Sequence, residues 1–290
     1  MNRKKILINT LVWTSLSTAA AAIAQGPPPA APFVTHQLKP NVYWIEGGGG
    51  NSTVIVGNTG VIVVDVKVSK AGGAELLADI VKITPKPVTT VILTHSDGDH
   101  INGLAAFPSG LKIIAQANNK QEQEAAIAAG GPGAPAAANL PNQLVTKPKE
   151  SLTIDGVKLE LYHWAPAHTS GDLVVYLPTE KIVATGDIIA TNNPYPRIHD
   201  EKNGSTDGWI TTTKGIIALD ADTYIPGHGN IQTKADIEKR IADAEARSNQ
   251  VKEMVAQGKS LDDIKDAVGD NDKLNYKDWT QICYEELTKK

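Results

Sequence analysis

The sequence predicts a single domain of mixed α and β structure. Short β-branched runs recur through two similar halves of the chain. Amphipathic helical stripes lie between and after them. Metal-ligand side chains stand where apolar runs give way to loops, the places where sites are built on a rigid scaffold.

The elements follow in order. Val42-Tyr43-Trp44-Ile45 reads as a strand, followed by a loop from Glu46 through four glycines. Ser52 to Val56 and Val61 to Val66, joined by Gly57-Asn58-Thr59-Gly60, read as a hairpin. Ala71 to Ile83 reads as a helix with Leu76, Leu77, Ile80 and Val81 on one face. Val91-Ile92-Leu93 is an apolar strand end, and Leu111 to Ala115 is a further strand. Gln121 to Ala128 reads as a short helix. Ala129 to Pro141, almost entirely Ala, Gly and Pro, reads as a mobile insertion. The second half repeats the pattern with strands at Ser151 to Ile154, Val157 to Tyr162, Leu173 to Leu177 and Lys181 to Ala184.

The tail, residues 233–290, reads as a helical extension packed on the domain of residues 33–232. Thr233 with Asp236 and Ser260 with Asp263 look like helix starts. Ile237, Ile241, Ala244, Val251 and Val255 line one face, Leu261, Ile264 and Val268 the next. Tyr276, Trp279, Ile282 and Leu287 form the last stripe. Such stripes are core far more often than partner surfaces.

At the amino terminus, Arg3, Lys4 and Lys5 precede an apolar run from Ile6 to Thr18, and Ala22-Ile23-Ala24 fits a small-residue cleavage site. Residues 1–24 are therefore expected to be a signal peptide, with cleavage near Ala24 and export to the periplasm or beyond. The polar residues within the run argue against a retained membrane span. Residues 25–32, rich in Pro and Ala, read as a flexible leader. Losing the three basic residues takes the formal net charge from −4 to −7, which argues against a nucleic-acid partner. The one cysteine, Cys283, cannot form an intrachain disulfide and sits in a helical apolar pattern. The expected partner is a small-molecule substrate; oligomeric state is not legible.

The run His95-Ser96-Asp97-Gly98-Asp99-His100 is the densest chemistry in the chain. It places four metal-ligand side chains within six residues, and four donors on one loop point to more than one ion. Their alternation predicts that His95, Asp97 and Asp99 point the same way in an extended segment. His168, Asp187 and His228 stand at three further strand-to-loop junctions, in HTSGD, TGD and PGHG contexts. Thr169, Ser170 and Asp172 are candidates for anchoring the His168 ring. Tyr195, His199 and Trp209, in the polar segment after Asp187, are candidate substrate contacts. His163, on a strand, reads as structural.

The ordered set HxDxDH, HTSGD, TGD and PGHG resembles the metallo-β-lactamase superfamily of metal-dependent hydrolases, from about Val34 to about Gly229. That resemblance implies a four-layer αββα sandwich, with the tail as extra C-terminal helices. It implies that His95, Asp97 and His168 hold a first divalent metal, that Asp99, His100 and His228 hold a second, and that Asp187 bridges them. Asp99 would also be the catalytic residue, orienting an attacking hydroxide and passing its proton on.

The chain departs from the family at position 97, where His is usual and Asp stands here. Three carboxylates and one bridging hydroxide would neutralise two divalent ions. A less positive site lowers the acidity of bound water less, and an extra oxygen donor suits harder metals. Zinc is the expected metal, with iron or manganese accepted.

Asp at position 187 resembles the lactonase and thioesterase branches, so cleavage of an ester, lactone or thioester is the leading expectation. A periplasmic β-lactamase is the alternative; those branches typically carry Cys or Ser at that position. A di-iron redox protein or a non-catalytic metal-binding protein is the further alternative. The redox reading is weakened because only about sixty residues follow Gly229, too few for a flavin domain. No GxSxG, GxGxxG or GxxxxGK[ST] element is present.

Overall fold

A computed structural model describes residues 32–131, 134–270 and 276–289. Residues 1–24, expected to be a signal peptide, and nearly all of the expected leader lie outside the described residues.

Among the described residues, twelve strands form two sheets. The first contains β1 (Val34–Lys39), β2 (Val42–Glu46), β3 (Ser52–Val56), β4 (Val61–Val64), β5 (Val88–Ile92), β6 (Lys112–Gln116) and β7 (Gln143–Val145), in that order. Its first four strands pair antiparallel and the remainder parallel, with α1 (Lys70–Ile83) crossing from β4 to β5. The second contains β8 (Lys149–Ile154), β9 (Val157–Tyr162), β10 (Val174–Leu177), β11 (Ile182–Ala190) and β12 (Thr223–His228), again in chain order across the sheet. There only the β11–β12 pair is parallel.

Side-chain alternation along each strand builds the layers. Ile55, Ile62, Ile92 and Ile114 share one buried cluster with Leu159, Leu161, Val175 and Leu177, which fills the space between the sheets. Their neighbours in sequence face outward. Val54, Val63, Val91 and Ile113 pack against Leu76 and Ile80 of α1. Val174, Tyr176 and Val183 pack against three helices: α4 (Thr206–Ile217), α5 (Lys234–Ala256) and α7 (Trp279–Thr288). The result is the expected αββα sandwich with carboxy-terminal helices added.

Both predicted helix starts in the tail carry full capping boxes, Thr233 with Asp236 on α5 and Ser260 with Asp263 on α6 (Leu261–Val268). Cys283 is buried beside Val251 and Ile264. Two stripe positions differ from expectation. Val81 of α1 and Leu287 of α7 are 71% and 42% exposed, because each lies at the edge of its helix's buried face. The Gln121 helix is longer than predicted: α3 spans Ala117–Ala129, its start fixed by the Gln116 side chain accepting from Asn118 N. Strands β1 and β7 and helix α4 are additions to the elements expected from the sequence.

Candidate metal centre

The six-residue cluster follows β5 and enters a single helical turn, α2 (Gly98–Ile101), with Asp97 at its N-cap. That turn corrects the expectation of three parallel side chains. Helix geometry swings Asp99 away from Asp97, so the two carboxylates meet different partners. Asp97 Oδ2 lies 3.3 Å from His168 Nε2 and 3.9 Å from His95 Nε2. Asp99 Oδ2 lies 3.0 Å from His228 Nε2 and 3.9 Å from His100 Nε2.

Asp187 was expected to end its strand. Instead β11 continues to Ala190, and Asp187 sits at an irregularity in its pairing with β12. Gly186 makes that irregularity possible: its φ is +53°, and a Cβ there would stand 2.4 Å from Thr94 Oγ1. Gly227 is needed for a different reason, since its Cβ would fall 1.9 Å from Asp187 Oδ1. Asp187 Oδ1 reaches within 3.2 Å of His100 Nε2, and its Oδ2 lies 3.4 Å from His228 Nε2 and 3.9 Å from His168 Nε2. All seven predicted ligands therefore converge, and the Asp187 carboxylate stands between the two sets.

These separations fit metal ions. Four ligands at 2.0–2.1 Å from a tetrahedral ion are about 3.3 Å apart. His100 Nε2 and His228 Nε2 lie 3.3 Å apart, close to that edge length. His95 Nε2 and Asp187 Oδ1 are buried without a hydrogen-bond partner. Unpaired buried polar atoms are costly, so an ion in their midst accounts for them.

The imidazoles are oriented from behind. Asp65, just past β4, accepts from His100 Nδ1 at 2.8 Å, from Thr94 N at 2.8 Å and from Thr94 Oγ1 at 2.7 Å. Thr94 Oγ1 in turn accepts from His95 Nδ1 at 2.9 Å. One carboxylate thus places the Nδ1 proton of both rings and leaves both Nε2 lone pairs facing inward. Burial pushes His95 well below the usual imidazole range, so it is neutral, as a ligand must be. Sequence reading missed Asp65, a lone acid just past the Val-Ile-Val-Val strand β4.

His168 is oriented differently from expectation. Its Nδ1 donates to the Arg197 carbonyl at 2.8 Å. Thr169 and Asp172 close a turn on each other, and Ser170 Oγ donates to Glu122 at 2.7 Å. None of the three hydrogen-bonds to the ring. His163 Nδ1 donates to the Asp172 carbonyl, a structural role.

The three candidate substrate contacts separate. Trp209 is 1% exposed, donates its indole N–H to the Ile188 carbonyl and packs edge-on against Trp279. It is core, because α4 turns that face onto the second sheet. Tyr195 is occupied by the Arg247 guanidinium, 4.7 Å from its ring. Only His199 joins the site, its Nε2 3.0 Å from Asp97 Oδ2.

Lys202 was not predicted. Its ammonium contacts Asp97 Oδ1 and lies 3.1 Å from Ser96 Oγ. It returns the positive unit that Asp97 removes, so the site is not less positive than one with His at that position. Burial alone would raise the Asp97 carboxyl, but His168, His199 and the neighbouring His95 hold it well below the usual carboxylate range. Lys202, Ser96, Gly98 and Ile101 also line an open cleft of about 370 Å³ with Ala126, Ala129, Gly131 and Pro135, so the end of α3 and the described residues that follow it form a wall beside the site.

A two-sheet sandwich carrying paired His/Asp groups at one end is a scaffold with a candidate metal centre. The profile of the metallo-beta-lactamase superfamily matches residues 45–228, and the chain belongs to that superfamily. Its members typically bind two metal ions. The chain is 29% identical over 199 residues to the 2,4-dinitroanisole O-demethylase subunit alpha of Nocardioides sp. (strain JS1661), covering 68% of this chain and 57% of that one. It is 25% identical over 214 residues to the linear primary-alkylsulfatase of Pseudomonas sp. (strain ATCC 19151), covering 59% and 39%. Against metallo-beta-lactamase type 2 of Bacteroides fragilis the identity is 27% over 193 residues, covering 64% and 72%. The chain thus spans less than two thirds of the length of the first two. Among solved structures, the inverting sec-alkylsulfatase Pisa1 from Pseudomonas sp. shares the fold with a TM-score of 0.64 at 18% identity, over 87% of this chain and 47% of that one. The metallo-beta-lactamase from Pontibacter korlensis does so with a TM-score of 0.62 at 18% identity, over 73% and 99%.

Proposed function

We propose that the chain is an exported hydrolase that uses two divalent metals, zinc by preference, to cleave an ester, lactone or thioester. The observation that carries this reading is the inward-facing ligand set, oriented from behind by the Asp65 carboxylate and the Arg197 carbonyl. Cys283 is buried in the helical layer. Bound metal ions supply Lewis acidity and make water nucleophilic near neutral pH.

The chain's own residues supply the remainder. Asp99 Oδ2 is positioned to hold the proton of an attacking water, since its side chain is 32% exposed and the other metal-site carboxylates are more buried. Lys202 faces the cleft and attracts an anionic or polarised group. The small apolar side chains beyond it accept an acyl or alkyl portion. Lys202 also favours a second reading, a sulfate ester, in keeping with relatives named as alkylsulfatases. The apolar amino-terminal run is the ground for export.

The test is a panel of an aryl ester, an acyl-homoserine lactone, a thioester, an alkyl sulfate and nitrocefin, offered to metal-loaded and chelator-stripped protein. Hydrolysis of an ester, lactone or thioester that vanishes with the chelator and returns with zinc is expected. Preference for the alkyl sulfate would move the reading to sulfate esters. Turnover of none by metal-replete protein would overturn the proposal.

A further inference from the structure

We infer that His199 is a ligand of the first metal, alongside His95, Asp97 and His168, and that it returns to the site the imidazole that Asp97 displaced. The inference rests on the metal-dependent reading above and goes beyond it, since family resemblance assigns no ligand at this position.

Four observations carry it. His199 is 7% exposed, and its Nε2 is buried without an aligned hydrogen-bond partner. That nitrogen lies 3.0 Å from Asp97 Oδ2, the same oxygen that lies 3.3 Å from His168 Nε2, and the three atoms form one potential metal-holding group. Both separations are close to the tetrahedral edge of about 3.3 Å. The opposite nitrogen, Nδ1, contacts the Glu201 carboxylate, the carboxylate–histidine arrangement that directs an Nε2 lone pair toward a metal. The backbone makes the placement deliberate. His199 N donates to the His168 carbonyl at 2.8 Å while the Arg197 carbonyl accepts from His168 Nδ1, so the strand of chain bearing His199 is fixed to a ligand on both sides.

The chemistry is consistent with the substitution at position 97. A carboxylate there supplies one oxygen to the first group. The His199 nitrogen then gives that group three imidazoles and one carboxylate, beside the Asp187 carboxylate that stands between the two groups. Such a site retains nitrogen-rich affinity while gaining a charge that Lys202 compensates.

The experiment uses cobalt(II) as the probe. Wild type, His199→Ala, His199→Gln and, as a control for the second group, His228→Ala are stripped, reloaded, and titrated against a chromophoric chelator. Proton NMR of the cobalt-loaded proteins then reads the hyperfine-shifted exchangeable N–H signals, one for each ligating imidazole that keeps its Nδ1 proton. Both His199 variants are expected to lose one such signal and at least about tenfold in affinity at one site. The second site, emptied in His228→Ala, stays filled in them. An unchanged signal set and unchanged affinity in both His199 variants would overturn the inference, whatever happens to turnover. Wild type that binds no metal would instead overturn the metal-dependent reading itself. Circular dichroism and the filled second site establish that the variants fold.

Discussion

The Lys277 ammonium lies 2.5 Å from Asp200 Oδ2 and 2.9 Å from Glu285 Oε2, tying α7 to the segment that carries His199 and Lys202. A few residues away, the Arg197 guanidinium sits 4.7 Å from the Tyr276 ring. The carboxy-terminal helices thus reach the metal centre through one short strap, residues 197–202. This gives the helical extension a consequence for the site beyond covering the second sheet.

Lys277→Met should separate these roles. A partly exposed ion pair contributes only about 0–1 kcal/mol, so the unfolding midpoint should barely change. The strap loses its anchor, and metal affinity at the first group should fall several-fold. Denaturant unfolding and a zinc titration check the two together; a large stability loss with unchanged affinity would contradict this division.

Asp65→Asn should weaken both groups at once. The amide keeps the volume of the carboxylate but cannot accept all of the donors from Thr94 and His100. Both His95 and His100 lose their fixed Nδ1 proton, and zinc affinity should drop by roughly 10–100-fold. Competition with a chromophoric chelator measures it. Thermal stability with metal bound should fall in parallel, because metal affinity is linked to folding.

Asp97→His, made alone, places an imidazole against the Lys202 ammonium and should gain little zinc affinity. Combined with Lys202→Met it should bind zinc more tightly than wild type and discriminate more strongly against manganese. The two positions touch, so a double-mutant cycle should show a coupling of about 0.5–3 kcal/mol. Additive effects in metal titrations of the four proteins would mean that Lys202 does not compensate Asp97.

Asp172 gives a pH dependence. Burial pushes its carboxyl up to about 6, against hydrogen bonds from Thr169 that oppose the rise. An unfolded Asp titrates near 3.9. Between these values the folded state holds a proton that the unfolded state has released. The stability from this group is therefore complete below about pH 4 and lost as pH rises through 6, a change of about 3 kcal/mol. Urea denaturation of wild type and Asp172→Asn from pH 4 to 7 tests it; wild type should show this downward contribution relative to the variant.

Much of the site was legible because several of its candidate ligands follow apolar strands in a sequence with few histidines. Val91-Ile92-Leu93 before His95, and Tyr224-Ile225-Pro226 before His228, mark their own positions. Asp65 escaped because a single acid after a strand has no spacing partner. Lys202 escaped because nothing near it in sequence is a ligand except His199, itself read as a substrate contact. Trp209 was misread for the converse reason: its segment looks polar, while the helix that begins at Thr206 turns it inward onto Trp279.

Alternation and helical periodicity set the layers, and the motifs marked the seven side chains that converge, because both depend on neighbours within a few residues. The charge and the donor count at position 97 were decided only by folding. Asp97, His168, His199 and Lys202 lie up to about a hundred residues apart, and a chain read along its length carries no signal for which distant side chains share an oxygen. The backbone bonds between residues 168 and 197–199 make that choice, and no local pattern encodes them.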